Sequence, residues 1–215
     1  MKYGVLGTGM VGQALATKLA ELGHEVCMGA RTSDHKDAKA WLQRVKGKGK
    51  TGTFADTAKF GEVILNCTQG EYSVEALRSI DASDLAGKVL IDVANPLDMS
   101  QKPPTLTICN TDSLGESLQR AFPTAKVVKA LNTVNCEVMV DPKRVPGEHD
   151  LFICGNDDGA KDCVKALLRE FGWHSIIDMG DITNARATEQ LLPIWIRLFM
   201  MFGSADFNFK VVRAG

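Results

Sequence analysis

Residues 4–31 read GVLGTGMVGQALATKLAELGHEVCMGAR, and this stretch decides the fold. A β-rich run, Tyr3–Gly7, leads directly into Gly7-Thr8-Gly9-Met10-Val11-Gly12, a G-x-G-x-x-G. Val11, Leu15, Leu19 and Leu22 then recur at helical spacing until Gly23 stops them. The motif thus sits after a strand and opens a helix, the context its mechanism requires. Gly7 permits a tight turn, Gly9 lets backbone approach a diphosphate, and Gly12 lets helix and strand pack closely. The unpaired N–H groups and positive end of such a helix hold an anion. Together these features predict a dinucleotide site at Gly7, Thr8, Gly9, Met10, Val11 and Gly12.

Outward from this unit the same rhythm continues. Further β-rich runs lie at Glu25–Gly29, Val63–Cys67, Val89–Val93 and Ala125–Ala130, with helix-period segments between them. One of these, Ser113–Phe122, opens with Ser113 and Glu116 at capping-box spacing. Strands alternating with helices imply right-handed crossovers and an α/β fold of Rossmann type, a doubly wound, mainly parallel sheet. After residue 140, Asp141-Pro142 and Val145-Pro146-Gly147 mark a loop, and Leu151–Cys154 reads as a strand. Ala160, Cys163, Val164, Leu167, Leu168 and Phe171 make an amphipathic helix that ends at Gly172. A short strand, Ser175–Asp178, precedes a last helix from about Ala185 to Phe202. That helix is apolar on nearly every side, which predicts burial under the sheet or against a second copy of the chain. The expected division is a dinucleotide-binding domain over 1–140 and a small C-terminal α/β extension over 141–215.

Composition narrows the function. Of 215 residues, 45% are hydrophobic and 24% charged, which excludes disordered and fibrous classes. Lys plus Arg is 25 against 26 for Asp plus Glu, so no general attraction to nucleic acid or anionic membranes is expected. The six cysteines form no C-x-x-C pair and read as reduced thiols rather than a disulfide framework or metal site. The first apolar run is broken by Gly7 and Gly9, so no signal peptide is read. The longest apolar stretch, Leu191 to Phe202, contains Pro193 and Arg197 and is too short to span a bilayer. A cytoplasmic location is expected.

The end of the second strand carries cofactor preference. An NAD site places Asp or Glu there for the ribose hydroxyl, whereas this chain reads Gly29-Ala30-Arg31-Thr32-Ser33 with Lys36 and Lys39 beyond. A guanidinium fork and small hydroxyls suit a 2′-phosphate, so Arg31, Thr32, Ser33 and Lys36 point to NADP. Asp34 would cap the helix beginning near Lys36 or point away. In open α/β sheets, ligands lie beyond the carboxyl ends of strands, which makes two more loops candidates for the nicotinamide. These are Cys67-Thr68-Gln69-Gly70 and Ala94-Asn95-Pro96. A plain turn also explains Asn95-Pro96, and an Asx turn explains the third candidate, Asn132, nearly as well. His24, His35, His149 and His174 occur singly, with no nucleophile or carboxylate at relay spacing. Alcohol or ketone reduction normally needs a positioned acid or base, whereas transfer to another redox cofactor needs mainly alignment. Arg186 and Glu189 read as a surface ion pair one turn apart, or as an anchor holding the last helix over the cleft.

These blocks, together with DVANP, KVVKALNTV, LFICGNDDGAKDCVKALLREFGW and DMGDITNARATEQLLPIWIRL, make the chain resemble the F-420:NADP oxidoreductases. These are the NADPH-dependent reductases of the deazaflavin coenzyme. The family is akin to the N-terminal domain of pyrroline-5-carboxylate reductases and to the cytosolic domain of the six-transmembrane metalloreductases. The resemblance runs nearly end to end and implies NADP(H) as cofactor, with deazaflavin F-420 or a flavin as second substrate. It implies hydride transfer in a cleft between the two parts, and a homodimer. The alternatives are an imine or carbonyl reductase of a small metabolite, and a non-catalytic NADP-binding sensor. Thr32 stands where relatives often carry a second basic residue. The segment 98–107 has no assigned counterpart and is expected to border the acceptor pocket.

Overall fold

Strand β1 (Lys2–Leu6) is buried from Tyr3 onward, and helix α1 (Met10–Glu21) turns Leu15, Ala16, Leu19 and Ala20 inward. The helix ends where Gly23 adopts a left-handed conformation at φ 85°, and β2 (Glu25–Ala30) then runs parallel to β1. This computed structural model describes residues 1–214. Next come α2 (Lys36–Arg44), β3 (Lys50–Thr53), α3 (Phe54–Phe60), β4 (Val63–Asn66), α4 (Ser73–Leu77), α5 (Ala82–Leu85) and β5 (Val89–Asp92). A small hairpin, β6 (Leu97–Asp98) with β7 (Thr105–Leu106), precedes α6 (Leu114–Ala121), β8 (Lys126–Ala130) and α7 (Cys136–Val140). The chain closes with β9 (Leu151–Gly155), α8 (Asp158–Glu170), β10 (Ile176–Asp178), α9 (Ala185–Glu189) and α10 (Leu192–Phe202).

The eight-stranded sheet has the order β10-β9-β8-β5-β4-β1-β2-β3. Every neighbouring pair is parallel except β8 with β9. The strand order reverses between β1 and β4, which leaves a crevice at their carboxyl ends, where doubly wound sheets bind ligands. Two apolar cores cover the two faces. One gathers Leu15, Leu19, Trp41, Val164, Leu168 and Trp173, and the other Phe54, Leu77, Leu90, Leu118 and Ile182. The Rossmann-type, mainly parallel fold is therefore as expected, and residues after 141 extend the same sheet through β9 and β10.

One strand is an addition, and two expectations about the last helix need correction. Strand β3 had no signal, because Lys50-Thr51-Gly52-Thr53 is an edge strand with no apolar run. The last helix is two helices, with Gln190 and Leu191 between them and Pro193 in the first turn of α10. It is also not buried all round. A single chain buries Leu192 and Ile196 and leaves Ile194, Met200, Met201 and Phe202 exposed. No helix among the described residues is long and apolar enough to cross a membrane, and all six cysteines are free.

Candidate functional site

The glycine turn shows a division of labour. Gly7 has φ 117°, and a Cβ there would lie 2.5 Å from the Cys67 carbonyl oxygen. A Cβ on Gly12 would lie 2.2 Å from the Gly7 carbonyl oxygen, so helix and strand touch backbone to backbone. Gly9 differs, because its φ of −73° suits any residue and a Cβ would meet nothing within 4 Å. Its lack of a side chain keeps the space ahead of α1 open. No side chain caps α1 and its first turn holds no acidic residue, so its leading N–H groups face that space unmatched by a side-chain acceptor. In α3, α7 and α8, Thr53, Asn135 and Asp157 cap the same position. This open cradle fits a diphosphate. Thr8 contributes backbone here, with its carbonyl accepting from Gln13 Nε2 at 2.7 Å.

Arg31 follows β2 and lines a recess of about 640 Å³ with Phe54, Tyr72, Glu75 and Ser79. Thr32, Ser33 and Lys36 are exposed on the segment that follows Arg31 and do not line the recess. The cap of α2 is His35, not Asp34, and its Nδ1 accepts from the Asp37 N–H at 3.3 Å. The imidazole lies one residue nearer the helix and takes the donor that Asp34 was expected to meet.

The second space is a cleft of about 630 Å³. Met10 and Val11 bound it from α1, Cys67, Thr68 and Gln69 from the loop after β4, and Ala94 and Asn95 from the loop after β5. Asn132 joins from the end of β8, Leu97 and Met99 from the hairpin, and Leu192 and Trp195 from α10. The segment 98–107 thus reaches this cleft through Met99. Pro96 does not line it, being buried with its carbonyl accepting from the Thr107 N–H at 2.8 Å. A Cβ on Gly70 would sit 1.9 Å from the Asn95 carbonyl oxygen, so the two loops interlock. Asn95 Nδ2 donates to the Asn132 carbonyl at 2.8 Å, and Asn132 Nδ2 donates back to Asn95 Oδ1 at 3.1 Å. Asn132 Oδ1 is left buried without a partner, an acceptor suited to a ligand N–H.

Among the described residues, no Asp, Glu, His, Lys, Arg or Tyr lines this cleft. Its only ionisable side chains are the thiols of Cys67 and Cys136. Burial pushes the Cys67 thiol well up, helped by Asp92, and burial and Glu137 raise Cys136. Both thiols are therefore neutral at physiological pH. No group of three or more His, Cys, Asp or Glu among the described residues could hold a metal ion.

Beneath the cleft runs a polar chain that sequence reading missed. Thr68 Oγ1 donates to Asn66 Oδ1 at 2.7 Å, and Asn66 Nδ2 donates to Asp92 Oδ1 at 2.8 Å. Lys129, wholly buried in β8, donates to Asp92 Oδ2 at 2.7 Å and to the Ala94 carbonyl at 2.6 Å. It also pairs with Glu189 Oε1 at 2.8 Å. Burial opposes the ammonium's charge, but Asp92 and Glu189 outweigh it and hold its pKa above the ordinary value. Glu189 in turn accepts from the Leu114 and Gly115 N–H groups at 2.9 and 3.1 Å. Arg186 does not pair with Glu189. It bonds the Glu116 carboxylate through Nε at 2.8 Å and Nη2 at 2.5 Å. The pair read as a surface bridge thus works as two separate anchors of α9. The one available signal was Lys129, set between Val128 and Ala130 in the strand Lys126–Ala130.

The family model of the coenzyme F420-dependent NADP oxidoreductases matches residues 2–96. A candidate F420-dependent NADP reductase from Arthrobacter sp. FB24, of known crystal structure, is 50% identical with a TM-score of 0.94. That match covers 99% of this chain and 100% of the other. The F420-dependent NADP reductase of Methanocaldococcus jannaschii is 27% identical over 99% of both chains. Metalloreductase STEAP3 of Rattus norvegicus is 29% identical over 99% of this chain, which spans 43% of that longer protein.

Proposed function

The chain belongs to the F420-dependent NADP oxidoreductase family, and from that premise we propose that it moves hydride between NADP(H) and the deazaflavin ring of F420. The observation that carries this reading is a cleft whose only titratable groups, among the described residues, are two thiols that burial makes weaker acids. Reduction of an imine or carbonyl protonates nitrogen or oxygen as hydride arrives, which calls for an acid in the wall. Hydride exchange between two flat rings calls for contact and dryness, and the cleft supplies apolar walls for both.

In this reading the leading N–H groups of α1 hold the diphosphate, with Gly9 keeping the approach clear. Arg31 meets the 2′-phosphate, and exposed Thr32, Ser33 and Lys36 lie on the segment that follows it. Asn132 Oδ1 accepts from the carboxamide N–H of the nicotinamide, held in place by Asn95. Lys129 fixes the Ala94 carbonyl and so sets the loop on which Asn95 stands. When bound, NADPH supplies the hydride from its nicotinamide C4. The outward apolar side of α10 supports a homodimer, which sedimentation checks.

The experiment is to follow NADPH absorbance with purified protein while offering F420, FMN, FAD, a ferric chelate and a small cyclic imine separately. Oxidation by F420 with an inert imine is expected. Turnover of the imine without any flavin-like acceptor contradicts the proposal.

A further inference from the structure

The protein has three tryptophans, and one of them is incompletely bonded. Trp41 Nε1 donates to Thr17 Oγ1 at 3.2 Å, and Trp173 Nε1 donates to the Met139 carbonyl at 2.9 Å. Trp195 Nε1 is shielded from solvent and donates to nothing among the described residues. A buried donor without an acceptor is costly and calls for explanation.

Its position supplies one. Trp195 stands on α10 and lines the cleft that also takes Met10, Val11 and Asn132. Phe199 and Phe207 stack on the indole at 5.7 and 5.2 Å, with interplanar angles of 12° and 28°. With two rings stacked on it, the indole has its edge to offer, and that edge carries the free N–H. The other buried donors of the cleft are committed. Asn95 Nδ2 donates to the Asn132 backbone carbonyl, Asn132 Nδ2 donates to Asn95 Oδ1, and Thr68 Oγ1 bonds Asn66 and Ser73. The helix bearing Trp195 buries only Leu192 and Ile196 in the chain.

We propose that Trp195 Nε1–H is the acceptor-side anchor of the cleft and donates to a carbonyl oxygen on the edge of the acceptor ring. This deepens the hydride-transfer reading and rests on it. The substrate class it selects is a flat, conjugated, fused ring with a carbonyl in conjugation with the carbon that receives hydride. As the C–H bond of nicotinamide breaks and a new C–H bond forms on the acceptor, the electron pair is delocalised onto that oxygen. Nicotinamide is oxidised, the ring is reduced, and a proton from water neutralises the product. A donor fixed at the oxygen binds this transition state better than the oxidised ring, which offsets the weakness of the cleft's thiols as acids.

The test compares the wild-type protein with Trp195→Phe and with Trp195 replaced by benzothienylalanine, which keeps the fused ring and has sulfur in place of N–H. With F420 as acceptor, kcat/KM is expected to fall about tenfold in both variants, the scale of one hydrogen bond to developing charge. The NADPH Kd, measured by calorimetry, should stay at the wild-type value. A loss in the phenylalanine variant that the benzothienyl variant lacks would mean the ring matters and the N–H does not, overturning the inference. Wild-type rates in both variants, or an equal loss in NADPH affinity, would overturn it too. A wild-type protein inert to F420 and to flavins overturns the hydride-transfer reading itself, and this inference with it.

Discussion

Helices α1 and α6 pose the same electrostatic problem at their amino ends, and the chain treats them in opposite ways. At α6, Ser113 Oγ accepts from the Glu116 N–H at 3.1 Å, and the Glu189 carboxylate takes the Leu114 and Gly115 N–H groups. Lys129, 2.8 Å away, balances that carboxylate in turn. At α1 there is no cap, no acidic first-turn residue and no side chain on Gly9. A helix amino terminus attracts an anion wherever it is placed. Where the anion is internal, the terminus becomes a joint, here tying α9 to α6. Where it is withheld, the terminus is free for a ligand, and the contrast separates the binding half of the molecule from the part that fastens α10 to the cleft.

The largest effect should come from making α1 resemble α6. Gly9→Asp fits the backbone and meets no atom within 4 Å, so the variant should fold. Its carboxylate caps α1 and stabilises the protein by about 1 kcal/mol. It also repels the diphosphate by about 3–4 kcal/mol, a several-hundred-fold rise in NADPH Kd. Denaturant titration and calorimetry on one sample measure both, and binding that survives would place the diphosphate elsewhere. The converse change, Glu189→Gln, leaves Lys129 short of one partner and should cost about 3 kcal/mol in unfolding free energy. NADPH affinity should change far less than in Gly9→Asp, because α1 is untouched and Lys129 keeps Asp92 and the Ala94 carbonyl, and a parallel loss of binding would erase the distinction between the two termini.

A smaller effect is expected within the binding half itself. Arg31→Ala should weaken NADPH binding by about 1.5–3 kcal/mol and NADH binding much less. Equal losses would remove Arg31 as the phosphate reader. The smallest concerns the second anchor of α9. The Arg186 hydrogen bond holds the Glu116 carboxyl below its ordinary value of 4.5, with Ser113 adding to the effect. A carboxyl with a depressed folded pKa stabilises above its unfolded value, and the contribution disappears as pH falls through the folded one. The stability gap between wild type and Glu116→Gln should therefore be flat above pH 4.5 and close below it. Arg186 is partly exposed, so the gap should stay under about 1 kcal/mol. A gap that persists in acid would assign the bond to geometry rather than charge.

The difference between the two termini also marks what could be read in advance. The α1 site is local: strand, turn and helix are consecutive, Gly7 and Gly12 each state a steric requirement within six residues, and Gly9 between them leaves the approach open. The loops at Thr68 and Asn95 were legible by the same logic, because the carboxyl end of a strand is a position that periodicity reveals. The α6 joint was not, since Glu189 lies 75 and 74 residues from the two N–H groups it meets. Lys129 looked like an ordinary strand residue until Asp92 and Glu189 came together around it. Of the two readings of Arg186 and Glu189, the surface pair fails for a related reason, while each residue does anchor its helix. Helical spacing brings two charges within reach, but each found a better partner on another element. Trp195 passed as one more apolar residue in a greasy helix, and only the bonds of the other two tryptophans make its free N–H visible.

The central claim is that the open end of α1 receives the dinucleotide and Arg31 recognises its additional phosphate. A crystal structure of the NADPH complex tests this most directly. Diphosphate oxygens should lie about 2.7–3.2 Å from the N–H groups at the start of α1. The guanidinium should be on the 2′-phosphate and the nicotinamide ring in the cleft beside Asn132. Nucleotide bound elsewhere, with the glycine turn empty, would contradict the account.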